Sequence, residues 1–224
     1  YKKLISRYNN IQMARKISLN SAYGAIGNQY FRYYDKAIAE GITKSGQLSI
    51  RWIENRLNKY LNNILKTDDD YVIASDTDSV YLTLDKLVTE TIKSDNALSK
   101  TINFLDKVAS ESIEPYITKS YDELKQYTNA FANKMFMKRE VIADKGIWVA
   151  KKRYILNVWN SEGVSYKEPK LKMMGIEAVK SSTPAICRQK IKDALELIMT
   201  SDEKELNKFV INFREEFLKV KPEL

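Results

Sequence analysis

The sequence predicts an α+β fold in which an antiparallel sheet packs on helices. Apolar residues recur at helical spacing in both terminal parts of the chain. Short segments rich in β-branched and aromatic residues lie between those parts and are separated by tight turns. Helices and strands that are segregated along a chain in this way are typical of α+β proteins with antiparallel sheets.

Two long helices are predicted in the first third of the chain. In residues 2–23 apolar side chains recur at helical spacing, and Gly24 and Gly27 are expected to end this helix. Asp35 can cap a second helix that extends to about Leu65.

A β-hairpin is predicted next. Residues 71–75 and 80–84 have the β-branched content of short strands, and the few residues between them make a tight turn. The segment 95–128 is predicted to be helical, with an interruption at Pro115, because proline removes a backbone hydrogen bond.

The segment from residue 135 to residue 174 is predicted to be rich in β-structure. Its clearest strand is 154–159, and a turn at 160–163 closes that strand. After Pro184 the helical pattern returns, with two helices that meet near residues 200–202.

The composition excludes several kinds of active site. The chain has no histidine, which excludes hydrolases that need a Ser-His or Cys-His pair, and every His-ligated metal site. Its single cysteine, Cys187, excludes a disulfide framework and fits a reducing compartment. Any chemistry is therefore expected to use carboxylates, lysines, tyrosines and a hard metal ion. No apolar run is long enough to span a membrane, so no membrane partner is expected.

The net charge of +8 is concentrated in two basic blocks. Residues 1–36 carry a net charge of +6 and residues 138–180 carry +5, whereas residues 37–137 carry −3. Two basic blocks around an acidic centre suit a protein that binds phosphates while it presents carboxylates to a metal ion. Solvated surface lysines explain these charges equally well, so both interpretations stay open.

Asp76 and Asp78 are the candidate metal ligands. Residues i and i+2 of a strand point to the same side, so both carboxylates can converge on one cation. Asp68 and Asp70 have the same spacing but lie in a polar turn, whereas Asp76 and Asp78 lie between apolar strands, where uncompensated carboxylates are costly. A hydrogen-bonded turn is the alternative interpretation, and the apolar context favours the metal site.

Lys16, Asn20 and Tyr23 are spaced so that they share one face of the first predicted helix, near its end. A cation, an amide and an aromatic hydroxyl together can bind a phosphate, a sugar and a base. A solvent-facing stripe without function is the alternative, and the spacing alone favours that alternative.

Three adjacent cations, Lys151, Lys152 and Arg153, precede Tyr154 at the start of the clearest predicted strand. Alternation along a strand predicts that Lys152 and Tyr154 share one face while Lys151 and Arg153 share the other. The cluster suits a duplex backbone, since Lys and Arg neutralise phosphates and Tyr packs or forms hydrogen bonds. A charged edge strand that prevents aggregation is equally consistent with it.

Taken in order, these segments resemble the motifs of family B DNA polymerases. Segment 16–24 (KISLNSAYG) resembles K-x-x-x-N-S-x-Y-G, segment 75–79 (SDTDS) resembles the D-T-D-S metal motif, and segment 151–154 matches the K-K-R-Y motif at the primer. Three motifs in the right order are far more specific than any one of them. Four further segments are similar to the replicative enzymes of T-even-type tailed bacteriophages: 31–35, 137–140, 171–175 and 181–184.

The resemblance covers about residues 10–185 and implies a palm, fingers and thumb arrangement. Residues 1–24 would be the last fingers helix, residues 25–183 most of the palm, and residues 184–224 the start of a helical thumb. The resemblance implies that the remainder of a polymerase chain is a partner, including an exonuclease domain. It also implies a cytoplasmic location, which is the host cytoplasm for a phage-encoded enzyme.

The resemblance further implies DNA-directed DNA synthesis on primer–template DNA. The primer 3′-hydroxyl would attack the α-phosphorus of an incoming deoxynucleotide (dNTP), with two Mg²⁺ ions as cofactors, for which Mn²⁺ could substitute. Asp78 would bridge the metal ions. Asp76 would be their second ligand or would act on the site without binding the ions directly. Lys16 would pair with the triphosphate and Asn20 would assist. Tyr23 would meet the minor-groove side of the new base pair.

The remaining site residues implied by the resemblance contact DNA or adjust the metal site. Lys152 and Tyr154 would hold the primer terminus, and Lys151 and Arg153 would support the duplex. Gly24 is grouped with these DNA-binding residues. Glu140 would tune the metal site.

One departure from the family matters for activity. The family's other catalytic aspartate lies in a D-x-x-S-L-Y-P-S motif before the fingers, and the 224 residues contain no such motif. We therefore expect these residues alone to be inactive. A palm of another polymerase class stays possible, although it would not explain segment 16–24. A non-catalytic DNA-binding accessory protein, or a subunit of a split polymerase, is the other alternative, and an accessory protein gives no reason for Asp76 and Asp78.

Overall fold

The computed structural model describes residues 1–92 and 98–219. The contacts within the chain divide it into two units. The first unit comprises Tyr1–Thr83 and Ser120–Asn133, and the second comprises the described residues of Leu84–Lys119 and Lys134–Leu224. Each unit contains one small antiparallel sheet together with helices, which confirms the predicted α+β class. No helix in the described ranges is long and apolar enough to cross a membrane.

Two long helices open the first unit, α1 (Lys2–Ile26) and α2 (Lys36–Leu65). The prediction that Gly24 ends α1 is wrong, because Gly27 is the residue that caps the helix and donates its N–H to the carbonyl of Tyr23. A glycine inside a helix costs only about 1 kcal/mol relative to alanine, so a long helix tolerates it. The predicted cap of α2 is confirmed, since the Asp35 carboxylate accepts the N–H of Ile38 at 3.0 Å.

The predicted hairpin consists of β1 (Val72–Asp76) and β2 (Ser79–Leu82), which pair antiparallel. The hairpin packs against α2. The buried face of α2 has a residue at every fourth position, as a helix that covers a small sheet requires. These residues are Ser49, Ile53, Leu57 and Leu61.

The helical segment in the middle of the chain consists of α3 (Asp85–Thr91), α4 (Leu98–Val108), one π-helical turn (Ala109–Ile113) and α5 (Glu114–Tyr127). The start of the predicted helix, residues 95–97, lies outside the described residues. The interruption predicted at Pro115 lies instead in the π-helical turn before it. This turn runs directly into α5, with the N–H of Glu114 bonded to the carbonyl of Ala109, and the helix continues through Pro115.

The sheet of the second unit has the order β3-β4-β5 and consists of β3 (Val141–Ala150), β4 (Arg153–Ser161) and β5 (Val164–Met174). It confirms the β-rich segment predicted from residue 135 to residue 174. The central strand β4 is the most buried of the three. Ile155 of β4 belongs to an apolar core. This core also includes residues in or next to the 3₁₀ turn after β5 (Glu177–Val179) and residues of α6 (Ala185–Thr200). The other buried members of this core are Ile176, Ala178, Leu195 and Met199.

The last helix is α7 (Glu203–Leu218), which follows α6 after a short break. The break near residues 200–202 was predicted, and Asp202 explains it because its carboxylate accepts the N–H of Glu205 at 2.9 Å. Lys190 of α6 packs against the rings of Phe209 and Phe213 and pairs with Glu216 at 2.8 Å, which joins the two helices.

Candidate functional site

The tip of the β1–β2 hairpin carries the two candidate carboxylates. Asp76 is the last residue of β1 and pairs with Ser79, so Thr77 and Asp78 form the two-residue loop. Thr77 has a left-handed backbone (φ 56°), and the N–H of Asp78 donates to the carbonyl of Asp76 at 2.6 Å. The strand alternation that was used to predict convergence therefore does not apply, because Asp78 lies in the turn. The tight turn nevertheless keeps both carboxylates at one end of the hairpin.

The chemistry of the tip suits part of a site for a hard cation. Asp76 is half-buried and Asp78 is exposed, so both side chains can be reached from solvent. The Thr77 hydroxyl donates to Oδ1 of Asp76 at 3.0 Å, which orients that carboxylate. Carboxylate oxygens are the ligands that Mg²⁺ and Mn²⁺ favour. Within the described ranges no group of three or more Asp, Glu, His or Cys side chains could hold a metal ion, so the tip offers a pair of ligands.

The base of the hairpin is held on α2 by Asn58, a contact that the sequence did not suggest. Its Oδ1 accepts the N–H groups of Tyr71 at 2.9 Å and of Val72 at 3.1 Å. Its Nδ2 donates to Oδ1 of Asp70 at 2.7 Å. Asp70 also accepts the N–H of Val72 at 3.2 Å, so this carboxylate has a structural role, as its polar turn predicted.

Asn62, one helical turn after Asn58, holds the loop that leads into β1. Its amide donates to the carbonyl of Asp69 at 2.8 Å, and its Oδ1 accepts the N–H of Asp69 and the hydroxyl of Thr67, both at 2.9 Å. The hydroxyl of Tyr71 lies 2.7 Å from that of Thr67. Because Thr67 donates its only hydroxyl proton to Asn62, Tyr71 is the donor to Thr67.

Lys16, Asn20 and Tyr23 are all exposed on α1, as are the other residues of this helix up to Gly24. The hydroxyl of Tyr23 lies 2.8 Å from the hydroxyl of Thr43 on α2. Thr43 donates its only hydroxyl proton to the carbonyl of Ala39 at 3.0 Å, so Tyr23 must be the donor in this pair. Thr43 is therefore a neighbour of the candidate site that no sequence pattern pointed to.

Lys151 and Lys152 form the turn between β3 and β4 in the second unit. The alternation predicted for them is wrong, because β4 begins at Arg153 and Lys152 has a left-handed backbone (φ 60°). Gly175, which also has a positive φ (62°), lies against this turn, and a Cβ atom at that position would be 2.3 Å from the carbonyl oxygen of Lys152. Only glycine fits so close to the turn.

Arg153 and Tyr154 are held inside the second unit. Arg153 donates to both carboxylate oxygens of Glu177, at 2.5 and 2.6 Å. The pKa of Glu177 is lowered first by a hydrogen bond from its own backbone N–H, then by Lys180, with the Arg153 charge adding to the effect. Tyr154 is 6% exposed and lies beside Trp148, with their ring centroids 6.3 Å apart.

Glu140 lies in the second unit, where its carboxylate pairs with Nζ of Lys172 at 2.5 Å. The preceding residue, Arg139, has a structural role that the sequence did not reveal. The Arg139 guanidinium donates to Asn160 at 2.6 Å and pairs with Asp106, and its backbone N–H donates to Glu114 at 2.9 Å.

Comparison with known proteins finds similarity to DNA polymerases along most of the chain. A sequence model of DNA polymerase family B matches residues 2–114. The chain is 43% identical over 202 residues to the DNA-directed DNA polymerase of Escherichia phage RB69, covering 86% of this chain and 22% of that protein. It is 39% identical over 222 residues to the DNA-directed DNA polymerase of Enterobacteria phage T4, covering 93% of this chain and 24% of that protein. The chain thus spans less than a quarter of the length of either relative.

Proposed function

The chain belongs to DNA polymerase family B, and on that premise we propose that it is the part of a DNA-directed DNA polymerase that carries the carboxylate pair for nucleotide addition. The observation that carries the proposal is the pair of carboxylates at the tip of the β1–β2 hairpin. Asp76 and Asp78 lie there within the segment that matches the family. A non-catalytic DNA-binding protein would need no such pair of carboxylates.

Family B DNA polymerases generally use divalent metal ions. We propose two Mg²⁺ ions, for which Mn²⁺ can substitute, with Asp76 and Asp78 among the groups that hold them. When bound, such ions activate the 3′-hydroxyl and neutralise charge on the phosphates. The protein's own part is to orient the two carboxylates. The hydroxyl of Thr77 and the tight turn serve that purpose.

The exposed face of α1 is proposed to bind the incoming nucleotide. Lys16 supplies a cation for the triphosphate, and its exposure leaves the ammonium group accessible. Asn20, one turn further along, donates or accepts a hydrogen bond at the sugar or phosphate. Tyr23 lies 45% exposed with its hydroxyl fixed by Thr43, so its ring is held ready to pack against the new base pair.

The turn between β3 and β4 is proposed to bind the primer–template duplex. Lys151 and Lys152 are exposed and lie in the turn of the β3–β4 hairpin, which suits neutralisation of backbone phosphates. The two residues after the turn are held by neighbours in the second unit. Arg153 pairs with Glu177, and Tyr154 lies beside Trp148. Gly24, which is exposed near the end of α1, is assigned to the DNA-binding set as well. Glu140, whose carboxylate pairs with Lys172, is proposed to tune the metal site.

The domain organisation follows from the family assignment. We propose that residues 1–24 are the last fingers helix, residues 25–183 most of the palm and residues 184–224 the start of the thumb. The last part of that thumb segment, residues 220–224, lies outside the described residues. The partners are then primer–template DNA, dNTPs and the remainder of a polymerase, in the cytoplasm of the host cell.

Primer extension by the 224 residues alone, and by a complete polymerase that contains them, tests the proposal. The 224 residues alone should not extend a primer, because one catalytic aspartate motif is not among them. A complete polymerase that contains these residues should extend the primer in the presence of Mg²⁺ and stop when EDTA is added. A complete polymerase that binds the duplex but incorporates no dNTP would contradict the proposal and favour an accessory protein. Robust extension by the 224 residues alone would contradict the expected inactivity.

A further inference from the structure

We propose that Asn58 is a positioning residue that sets the orientation of the Asp76–Asp78 turn by fixing the base of its hairpin on α2. The inference rests on the proposed function, because it assigns Asn58 to the same carboxylate site. Asn58 itself lies at the opposite end of the hairpin and contacts neither aspartate in the described structure.

The amide of Asn58 makes three hydrogen bonds at the hairpin base. Its oxygen accepts two successive backbone N–H groups, those of Tyr71 and Val72, and its nitrogen donates to Asp70. Tyr71 is only 2% exposed, so water cannot readily replace the lost acceptor at its N–H, whereas the N–H of Val72 would keep Asp70 as an acceptor. A buried N–H without a partner costs about 1–3 kcal/mol, which makes this contact hard to change without moving the strand.

The second strand depends on the same point. The carbonyl of Tyr71 accepts the N–H of Thr83 at 2.9 Å, so the strand that returns from the tip is fixed to the residue that Asn58 holds. Asn58 therefore fixes both strands of the hairpin at their base, through one residue.

The distance from the base to the tip makes this anchor matter for Asp76 and Asp78. Asp76 lies four positions after Val72, which corresponds to about 13 Å along a strand. Beyond the base the hairpin is less buried: Ile73 is 50% exposed and Asp78 is exposed. A small rotation at Tyr71 is therefore magnified at the carboxylates, and a displacement of about 1 Å in a catalytic group can lower the rate about 100-fold.

The donor and acceptor pattern around Asn58 suggests a specific test. Asn58→Asp keeps the acceptor for the two N–H groups but places a carboxylate against that of Asp70, which repels it. Adding Asp70→Asn restores a donor between positions 58 and 70, with the roles of the two residues exchanged. Asn55→Asp is the matched control, because Asn55 is exposed on the same helix and its amide donates to the carbonyl of Arg51 within that helix.

The experiment uses a complete polymerase that contains these residues. It compares Asn58→Asp, Asn55→Asp and Asp78→Ala with the Asn58→Asp/Asp70→Asn double variant. Asn58→Asp should raise the Mg²⁺ concentration for half-maximal primer extension about 10-fold, because repulsion at the hairpin base displaces the carboxylates at its tip. It should also accelerate hydrogen exchange in a peptide covering residues 71–83, measured without metal and without substrate. The Asn58→Asp/Asp70→Asn double variant should return both quantities to within about 2-fold of the wild type.

The results that would overturn the inference differ from those that would overturn the proposed function. If Asn58 has only a structural role, Asn58→Asp should lower the melting temperature but leave the Mg²⁺ dependence of the folded enzyme unchanged, and that result would overturn the inference. Failure of the double variant to restore the Mg²⁺ dependence would also overturn it. If Asp78→Ala abolishes extension while Asn58→Asp behaves like Asn55→Asp, only the positioning role is wrong. If Asp78→Ala extends primers normally, the proposed function is wrong, and the role of Asn58 fails with it.

Discussion

The hydroxyl of Tyr23 donates to the hydroxyl of Thr43 at 2.8 Å and so links α1 to α2. The two residues are twenty positions apart, and the contact orients the one aromatic side chain among the three candidate nucleotide-binding residues of α1. A ring whose orientation is fixed before the substrate arrives loses less conformational entropy on binding. The contribution of Tyr23 is therefore expected to depend on Thr43.

Thr43→Val should weaken nucleotide binding to the same extent as Tyr23→Phe. Either change removes one hydrogen bond worth about 1 kcal/mol, so the KM for dNTP should rise about 5-fold with little change in kcat. Tyr8→Phe is the control, because Tyr8 is exposed on the same helix. Steady-state primer extension at varied dNTP concentration measures the effect, and unchanged KM values in both variants would contradict it.

Gly175→Ala should weaken primer–template binding by displacing the turn that carries Lys151 and Lys152. A Cβ atom at position 175 would lie 2.3 Å from the carbonyl oxygen of Lys152, so backbone must move. Gly163→Ala is the control, since Gly163 also has a positive φ (87°) but open space around it. Both variants should lose about 1 kcal/mol of stability from the left-handed backbone, and Gly175→Ala about 1–3 kcal/mol more. Chemical denaturation and duplex titration measure the two effects. Equal behaviour of the two variants would contradict the close approach.

The stabilising contribution of the Glu177 carboxylate, which its own backbone N–H, Lys180 and Arg153 all favour, should be lost in acid. Because the pKa of Glu177 is lowered in the folded protein from its ordinary value of 4.5, the carboxylate stabilises the fold above that pH. Its contribution should fall as the pH drops below 4.5 and through the folded pKa. The melting temperature of the wild type should therefore exceed that of Glu177→Gln at neutral pH, and the difference should shrink in acid. Glu168→Gln, at an exposed position of β5, should track the wild type. A difference that grows in acid would contradict the assignment.

Arg139→Ala should destabilise the protein by about 1–3 kcal/mol, because Asn160 Oδ1 keeps only the N–H of Gly163 at 3.2 Å as a donor and Asp106 loses its cation. Asn160 is 3% exposed, so water cannot take the place of the guanidinium. Lys138→Ala, which removes an exposed cation one position earlier, should change stability by less than about 0.5 kcal/mol. Urea denaturation measures both, and similar losses in the two variants would contradict the structural role of Arg139.

The features that the sequence predicted well are those set by local interactions. The cap of α2 at Asp35 and the break at Asp202 depend on a carboxylate and an N–H three residues away, so a short window contains all the relevant groups. The β1–β2 hairpin and the three-stranded sheet were found because β-branched residues and turn residues alternate along the chain.

The features that the sequence did not predict depend on long-range contacts or on single backbone angles. Asn58 and Tyr71 are thirteen positions apart, and an asparagine within a helix carries no signal for a distant strand. The positions of Thr77 and Lys152 in turns depend on their positive φ angles, which residues other than glycine seldom adopt. For this reason the alternation of side chains assumed for Asp76 and Asp78, and for Lys151 and Lys152, was wrong although the hairpins themselves were predicted.

Primer extension by Asp78→Ala in a complete polymerase containing these residues tests the central claim most directly. Asp68→Ala is the control, since Asp68 is an exposed aspartate in the polar turn before β1. Asp78→Ala should lower single-turnover nucleotide addition by at least about 1000-fold, equivalent to about 4 kcal/mol, with primer–template Kd within about 2-fold of the wild type. Asp68→Ala should leave both quantities unchanged. Turnover retained in Asp78→Ala, at the rate of Asp68→Ala, would contradict the assignment of the hairpin tip as the metal-binding site of a DNA polymerase.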